Sequence, residues 1–200
     1  MKYTQIKNEI ILASKSKVRK EILERNDIKC KVIASNLDED PIKESLIKEG
    51  ASPELISKNL AEIKATKVSS SNQNLLVLGA DSVIDLNNKI ISKPKHRDEA
   101  LDILCKLNGK QHNLISSVTI ARNGSMIWNY TDKAKLTMKK FDLDELKEYL
   151  SKISDNALYS YNVYQIEGYG RYLFSKIEGD EDTIMGLPVK KIKEYLKNLK

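Results

Sequence analysis

"LLVLGADSV", residues 75–83, decides the fold class. Leu75, Leu76, Val77 and Leu78 make a continuous aliphatic run, the pattern of a strand buried on both faces. The run then meets two tiny residues, Gly79 and Ala80, and a carboxylate, Asp81. In open α/β sheets, ligands bind beyond the carboxyl ends of strands. A carboxylate there can hold a divalent metal or take a proton from water, and Gly79 with Ala80 would keep side chains clear of a ligand. The same letters also describe an aspartate that begins a turn where a strand stops. On this stretch alone the two readings stand level.

Working outward, helices and strands alternate. On the N-terminal side, "EIILAS" reads as a short buried strand, "SKSKVRKEILERND" as a helix entered through serines, and "CKVIAS" as a second strand. "NLDEDP" reads as a polar loop broken by Pro41. The next helix has Ser52 as N-cap, Pro53 at its first position and Glu54 in its first turn. Leu55, Ile56, Leu60, Ile63 and Val68 form its expected apolar stripe. On the C-terminal side, "SVIDLNNKIIS" predicts a hairpin turning at Asn87-Asn88, since asparagine tolerates positive φ. A helix follows Pro94 and closes at Asn108-Gly109. "HNLISSVTIAR" and "SMIWNYTDKAKLTMK" flank Asn123-Gly124, the plainest hairpin signal in the chain. "DLDELKEYLSKI" predicts a helix, "NVYQIEGYGRYLFSKIEGD" a strand, turn and strand, and a last helix follows "MGLPV". The expected architecture is α/β, a mixed twisted sheet with flanking helices, in a single domain over residues 1–200.

The bulk numbers agree. The chain has 200 residues, 40% hydrophobic and 31% charged, enough for a real core and too apolar for a disordered chain. Cys30 and Cys105 are isolated, which fits a reduced, intracellular setting. The first residues lack the pattern of a signal peptide, and no apolar stretch approaches the ~20 residues of a membrane helix. A cytoplasmic location is expected, with no membrane partner. The net charge of +6 suits a polyanion partner, nucleic acid or a nucleotide's phosphates, and is also the sum of ordinary solvated lysine faces.

Several other residues bear on chemistry. Ser14, Ser16, Lys17, Arg19 and Lys20 stand where a strand meets a helix, a place for an anion; ordinary capping and surface lysines explain them equally. No GxxxxGK[ST] is present. Lys93-Pro94 holds a lysine extended at the end of a hairpin strand, Lys64 lies on the helix after Ser52, and Glu39 sits in an acidic loop where it would be solvated or would share magnesium with Asp81. His96 and His112 are too isolated for zinc. The tyrosines at 159, 161, 164, 169 and 172 fit base stacking or plain strand packing.

The order of these pieces is more specific than any one of them. "ILASKSKVRKEIL", "LDED", "LAEIKATKV", "LGADSVI", "ISKP", "EALDILCKLNGKQHNLISSVTI", "YQIEGYG" and "IEGDEDTIMGLPV" together resemble the Maf family of nucleoside triphosphate pyrophosphatases from end to end. The resemblance implies a fold of the Maf and inosine-triphosphatase type, two lobes around a cleft, in a homodimer. It implies hydrolysis of a nucleoside triphosphate to the monophosphate and pyrophosphate with a divalent metal, Mg2+ or Mn2+, in the service of nucleotide-pool sanitation. Carried over by motif, Asp81 matches the proton acceptor, and Ser14, Ser16 and Arg19 match S-x-S-x-x-R on the phosphate side. Glu39 matches the acid after the second strand, Lys64 the helical lysine, and Lys93 the lysine of K-P. Asp81 and Glu39 are the expected metal ligands. Gly186-Leu187-Pro188 reads as structural.

Three positions separate the family's substrate branches, and here they hold Val18, Ser82 and Glu167. Glu167 sides with the 7-methyl-GTP branch, Ser82 is chemically nearer the thymidine/uridine triphosphate branch, and Val18 matches neither. A carboxylate accepts the N1–H and 2-amino donors of a guanine edge, so Glu167 points to a purine. Two other classes of function are weighed beside the enzyme. One is a nucleotide-binding regulator of cell division that keeps the fold with little catalysis; the set Asp81, Glu39, Lys64, Lys93 and Arg19 argues against it, because a pure binder need not keep the acids. The other is a nucleic-acid binder, supported by charge alone.

Overall fold

The computed structural model describes residues 9–155, 158 and 163–199. In chain order the elements are β1 (Ile10–Leu12), α1 (Lys17–Arg25), β2 (Cys30–Val32), α2 (Asp40–Lys48), α3 (Pro53–Ser70), β3 (Val77–Leu86) and β4 (Lys89–Ile91). There follow α4 (Arg97–Leu107), β5 (Gln111–Arg122), β6 (Ser125–Met138), α5 (Leu143–Ser151), a 3-10 turn (Tyr169–Leu173), β7 (Phe174–Glu178), α6 (Glu181–Ile184) and α7 (Val189–Asn198). Seven strands make one mixed sheet in the order β2-β1-β3-β5-β6-β7, with β4 paired to β3. β1 runs parallel to both β2 and β3, and the other pairs are antiparallel.

Local chemistry fixes the elements. Ser16 accepts from the Arg19 N–H and Ser52 from the Leu55 N–H, each satisfying a first-turn donor that the helix itself cannot. Asp142 and Glu145 form a reciprocal capping box on α5. Asn123 (φ 52°) and Gly124 (φ 79°) are both left-handed, as a tight primed hairpin turn requires. Asn87 and Asn88 share that conformation between β3 and β4.

β3 positions the site. It pairs with β1 through Ile11↔Val77 and Leu12↔Leu78 and, further on, with β4 through Ile84↔Ile91. Between those two partners the residues around Asp81 pair with no described strand on that side, while β5 pairs the other edge from Val77 through Asp85. Asp81 therefore stands in the middle of a ten-residue strand, not at its end, and is not the start of a turn. Gly79 also has a different reason from the one expected. A Cβ there would lie 2.2 Å from the Ala61 carbonyl oxygen and 2.7 Å from the Ala65 amide nitrogen. The glycine lets α3 press its backbone against β3; it does not clear space for a ligand. Ala80 is fully buried in the core beside Leu78.

The buried face of α3 is Ile56, Ser57, Leu60, Ala61, Lys64, Ala65 and Val68. Leu55 is exposed and Ile63 half-buried, so the stripe drawn from large aliphatics was rotated from the true one, where small residues allow close approach. Pro41 lies in the first turn of α2, where a proline is tolerated, so "NLDEDP" leads into a helix and is not a loop broken by proline. Residues 163–168 are a turn and not the expected strand. Two apolar cores flank the cleft. One joins β1, α1, β3 and α7 around Leu12, Ile22, Leu78 and Ile192; the other joins α4, α5 and the far ends of β5 and β6 around Leu104, Leu114 and Leu136. No described helix is long and apolar enough to cross a membrane.

Candidate active site

The break in the β1 side of the sheet opens into a cleft of about 1360 Å³. Ser14, Ser16, Val18, Arg19, Glu39, Lys64, Asp81, Ser82 and Lys93 all line it. α3 brings Lys64 beneath Asp81, and the Lys64 Nζ donates to Asp81 Oδ1 at 2.8 Å and lies 2.8 Å from Glu39 Oε1. Glu39, at the head of α2, is also paired with Lys43 at 3.3 Å. Burial alone would raise the Glu39 carboxyl; the Lys64 ammonium, then Lys43, reverse this and hold it below its ordinary range. Ser57 donates to the Asp81 carbonyl oxygen at 3.1 Å, which fixes the backbone that carries the acid. Lys64 and Asp81 are 6% and 5% exposed, so this is a desolvated ion pair.

Asp81 Oδ2 is buried and has no hydrogen-bond partner among the described residues. Such an acceptor is rare in a folded protein and suits a ligand, water or ion. Among the described residues no cluster of three or more His, Cys, Asp or Glu side chains could hold a metal by itself. Mg2+, however, commonly takes one or two carboxylates and completes its shell with waters and substrate phosphates. Asp81 and Glu39 fit that donor set.

Arg19 reaches from α1 across to β3. Its Nε donates to the Gly186 carbonyl at 2.9 Å, its Nη1 to the Ala80 carbonyl at 2.9 Å and to Ser14 Oγ at 3.3 Å, and its Nη2 to Ser82 Oγ at 3.1 Å. The Ala80 carbonyl is one that the missing strand neighbour would have paired. Burial pulls Arg19 below its ordinary range, opposed by Asp81 and Glu39. Lys93 enters from the end of the β3–β4 hairpin. It is open to the water of the cleft, yet enough protein surrounds its ammonium to bring it down to about 8. Desolvation is the main cause and the Arg19 charge adds to it, against the pull of Asp81 and Glu39.

Ile84, Ile103, Leu114, Tyr164 and Ile166, members of the apolar core around Leu104, also line the cleft. Tyr164 is held from behind by His112, whose Nε2 lies 2.8 Å from the tyrosine oxygen. Burial lowers His112 to about 4, so it is a neutral core group at ordinary pH. Glu167 is not among the residues lining the cleft. Its carboxylate lies 3.6 Å from Arg25 in a smaller, adjoining depression with Asp182 and Lys190, and Met185 lines both. Tyr169 and Tyr172 are exposed and away from the cleft, and Tyr159 and Tyr161 lie outside the described residues. Lys20 pairs with Glu24 on the helix surface. Tyr164, weighed above for base stacking, lines the cleft, while Ser57 and Gly186 belong to the support of the site without having been singled out as such. Nothing in their local sequence marks them, because each acts through a partner distant in the chain.

The model of the Maf-like protein family matches residues 9–199. A nucleoside triphosphate pyrophosphatase of Pelagibacter ubique (strain HTCC1062) is 70% identical over 192 residues, 96% of this chain and 98% of that one. A 7-methyl-GTP pyrophosphatase of Brucella abortus biovar 1 (strain 9-941) is 38% identical, covering 90% of each chain. Among solved structures, the Staphylococcus aureus Ham1 protein aligns with a TM-score of 0.44 at 14% identity, over 96% of this chain and 100% of that one. The family match over nearly all of the described chain and the 70% identity to a relative of the same length place this protein in the Maf-like family.

Proposed function

We propose that this cleft hydrolyses a nucleoside triphosphate to the monophosphate and pyrophosphate, and that the protein is a hydrolase of acid anhydrides. The observation that carries the reading is the buried Lys64–Asp81 pair with Glu39, set in one cleft with Arg19 and Lys93. A triphosphate brings about four negative charges, and catalysis of phosphoryl-type transfer is mostly positioning and charge neutralisation. Lys64, Lys93 and Arg19 supply positive charge to the cleft. The apolar lining with Tyr164 suits the flat face of a base.

In the reaction, a water oxygen attacks the α-phosphorus and the bond to the oxygen bridging the α- and β-phosphates breaks, so pyrophosphate leaves. Asp81 accepts the water's proton through Oδ2, the carboxylate oxygen without a hydrogen-bond partner among the described residues, and Lys64 holds the other oxygen in place. A divalent metal held by Asp81 and Glu39 would supply Lewis-acid stabilisation of the phosphate oxygens. The homodimer and the cytoplasmic setting implied by the resemblance belong to this proposal. Hydrolysis in 18O-labelled water tests it. The label is expected in the monophosphate, with pyrophosphate unlabelled. Formation of a nucleoside diphosphate and orthophosphate would overturn the reading.

A further inference from the structure

Arg19 is held by a closed circuit of hydrogen bonds that starts on the cleft lining and passes through the buried Ser116 and Thr183. Its Nη2 donates to Ser82 Oγ at 3.1 Å, and Ser82 Oγ lies 2.8 Å from Ser116 Oγ, its direct cross-strand neighbour on β5. Ser116 Oγ donates to the Thr183 carbonyl of α6 at 2.7 Å. The Gly186 N–H donates to that same carbonyl at 3.0 Å, and the Gly186 carbonyl accepts from Arg19 Nε at 2.9 Å. The ring is thus Arg19, Ser82, Ser116, Thr183, Gly186 and back to Arg19. Ser116 and Thr183 are fully buried.

The chemistry of its members fixes the direction of every bond. A guanidinium only donates and a carbonyl only accepts. The single proton of Ser116 goes to the Thr183 carbonyl, so Ser82 must give its own proton to Ser116 while accepting from Arg19. Ser82 therefore has no proton to offer a nucleotide base. Four of the five Arg19 donors are likewise committed to protein acceptors. Gly186 fits this ring for two reasons: its φ is +98°, and a Cβ there would come 3.1 Å from Ser82 Oγ and 3.4 Å from the Arg19 Nε and Nη2 nitrogens.

The geometry points to Ser82, Ser116 and the Thr183–Gly186 turn as positioning residues, which set the Arg19 guanidinium on the phosphate side of the cleft and do not read the base. This inference rests on the pyrophosphatase reading for its substrate and gives Ser82 a role other than selecting between bases. It accounts for a fully buried serine, Ser116, paired across the strands with the half-exposed Ser82.

The test is calorimetric binding of the non-hydrolysable α,β-methylene analogues of GTP and UTP to the wild type, Ser82→Ala, Ser116→Ala and the double variant, with Ser116→Thr as the rescue. Each alanine variant is expected to weaken both analogues by the same factor, about tenfold. The double variant should be no worse than the weaker single, because one circuit is cut once or twice. Ser116→Thr, which keeps the hydroxyl, is expected to return most of the loss. Wild-type affinity in Ser116→Ala, a changed GTP-to-UTP preference in Ser82→Ala, or multiplied losses in the double variant would overturn the inference. If Ser116→Ala does not fold, Ser82→Ala at its half-exposed position decides the matter through the preference ratio. Pyrophosphate release is measured on the same samples. A wild type that binds the analogues but cleaves no triphosphate would refute the pyrophosphatase reading and leave the binding result standing.

Discussion

Gly79→Ala makes the sharpest demand on this structure, because one methyl group would meet the α3 backbone at two residues. The added Cβ would sit 2.2 Å from the Ala61 carbonyl oxygen, 2.7 Å from the Ala65 nitrogen and 2.9 Å from the Ala65 Cβ. Ordinary non-bonded carbon contacts lie at about 3.5–4.0 Å, so α3 and β3 must separate by roughly 1 Å. No flexible side chain can turn aside to absorb the shift. Overpacking of a core costs about 1–3 kcal/mol, and the upper end applies where backbone opposes backbone. At roughly 2–4 °C per kcal/mol for a domain of this size, a loss of about 3 kcal/mol lowers the Tm by about 6–12 °C. The same displacement moves Lys64 and Ser57 away from Asp81, since α3 carries both. A misplacement of about 1 Å at a catalytic centre is worth on the order of 100-fold in rate, and a loss of that size in kcat/KM is expected. The assay is a thermal melt followed by pyrophosphate release at a temperature where the variant is folded. A Tm within about 2 °C of wild type, with unchanged kcat/KM, would refute the close α3–β3 contact and the coupling drawn from it.

Three further outcomes follow from the site and its scaffold. Lys93 is lowered to about 8, so its positive charge is present below that pH and lost as pH rises through it. The kcat/KM profile should fall on the alkaline side near pH 8, and Lys93→Arg should shift that limb upward; an unmoved limb assigns it to another group. Lys64→Met leaves Asp81 and Glu39 facing each other without their shared cation. Breaking a buried pair costs ~3–5 kcal/mol, and both a lower melting temperature and a loss of activity of at least about 100-fold are expected. Asp142→Ala removes the capping box of α5, far from the cleft. It should cost about 1 kcal/mol in a chemical-denaturation curve and leave kcat/KM unchanged.

The sequence carried local structure well and distance poorly. Ser52, Pro53, Asp142, Asn87-Asn88 and Asn123-Gly124 act on neighbours within a few residues, and each sits where its chemistry predicts. α2 escaped notice because its short apolar set, Ile42, Leu46 and Ile47, lies among polar residues just after Pro41, and none of it is fully buried. Gly79 was legible as a special position, but its reason depends on Ala61 and Ala65 of another element. Asp81 looked like a strand's end because two tiny residues interrupt the aliphatic run, yet the ladder to β5 continues past it to Asp85. The grouping of Glu39, Lys64, Asp81 and Lys93 could be expected only from the order of motifs along the chain. Arg19 and Gly186, 167 residues apart, meet because α1 and the turn after α6 lie on the same side of the sheet. No local pattern encodes such a contact.

The reaction proposed for this cleft depends above all on Asp81 activating the water that cleaves a nucleoside triphosphate. Its most direct measurement compares kcat/KM for pyrophosphate release by the wild type and Asp81→Asn, with the melting transition of each recorded alongside. Asn keeps the shape of the side chain and removes its capacity to take a proton, and general-base catalysis contributes on the order of 10²–10⁴-fold. A folded Asp81→Asn is expected to lose at least about 100-fold in kcat/KM. A folded Asp81→Asn that releases pyrophosphate at nearly the wild-type rate would contradict this role.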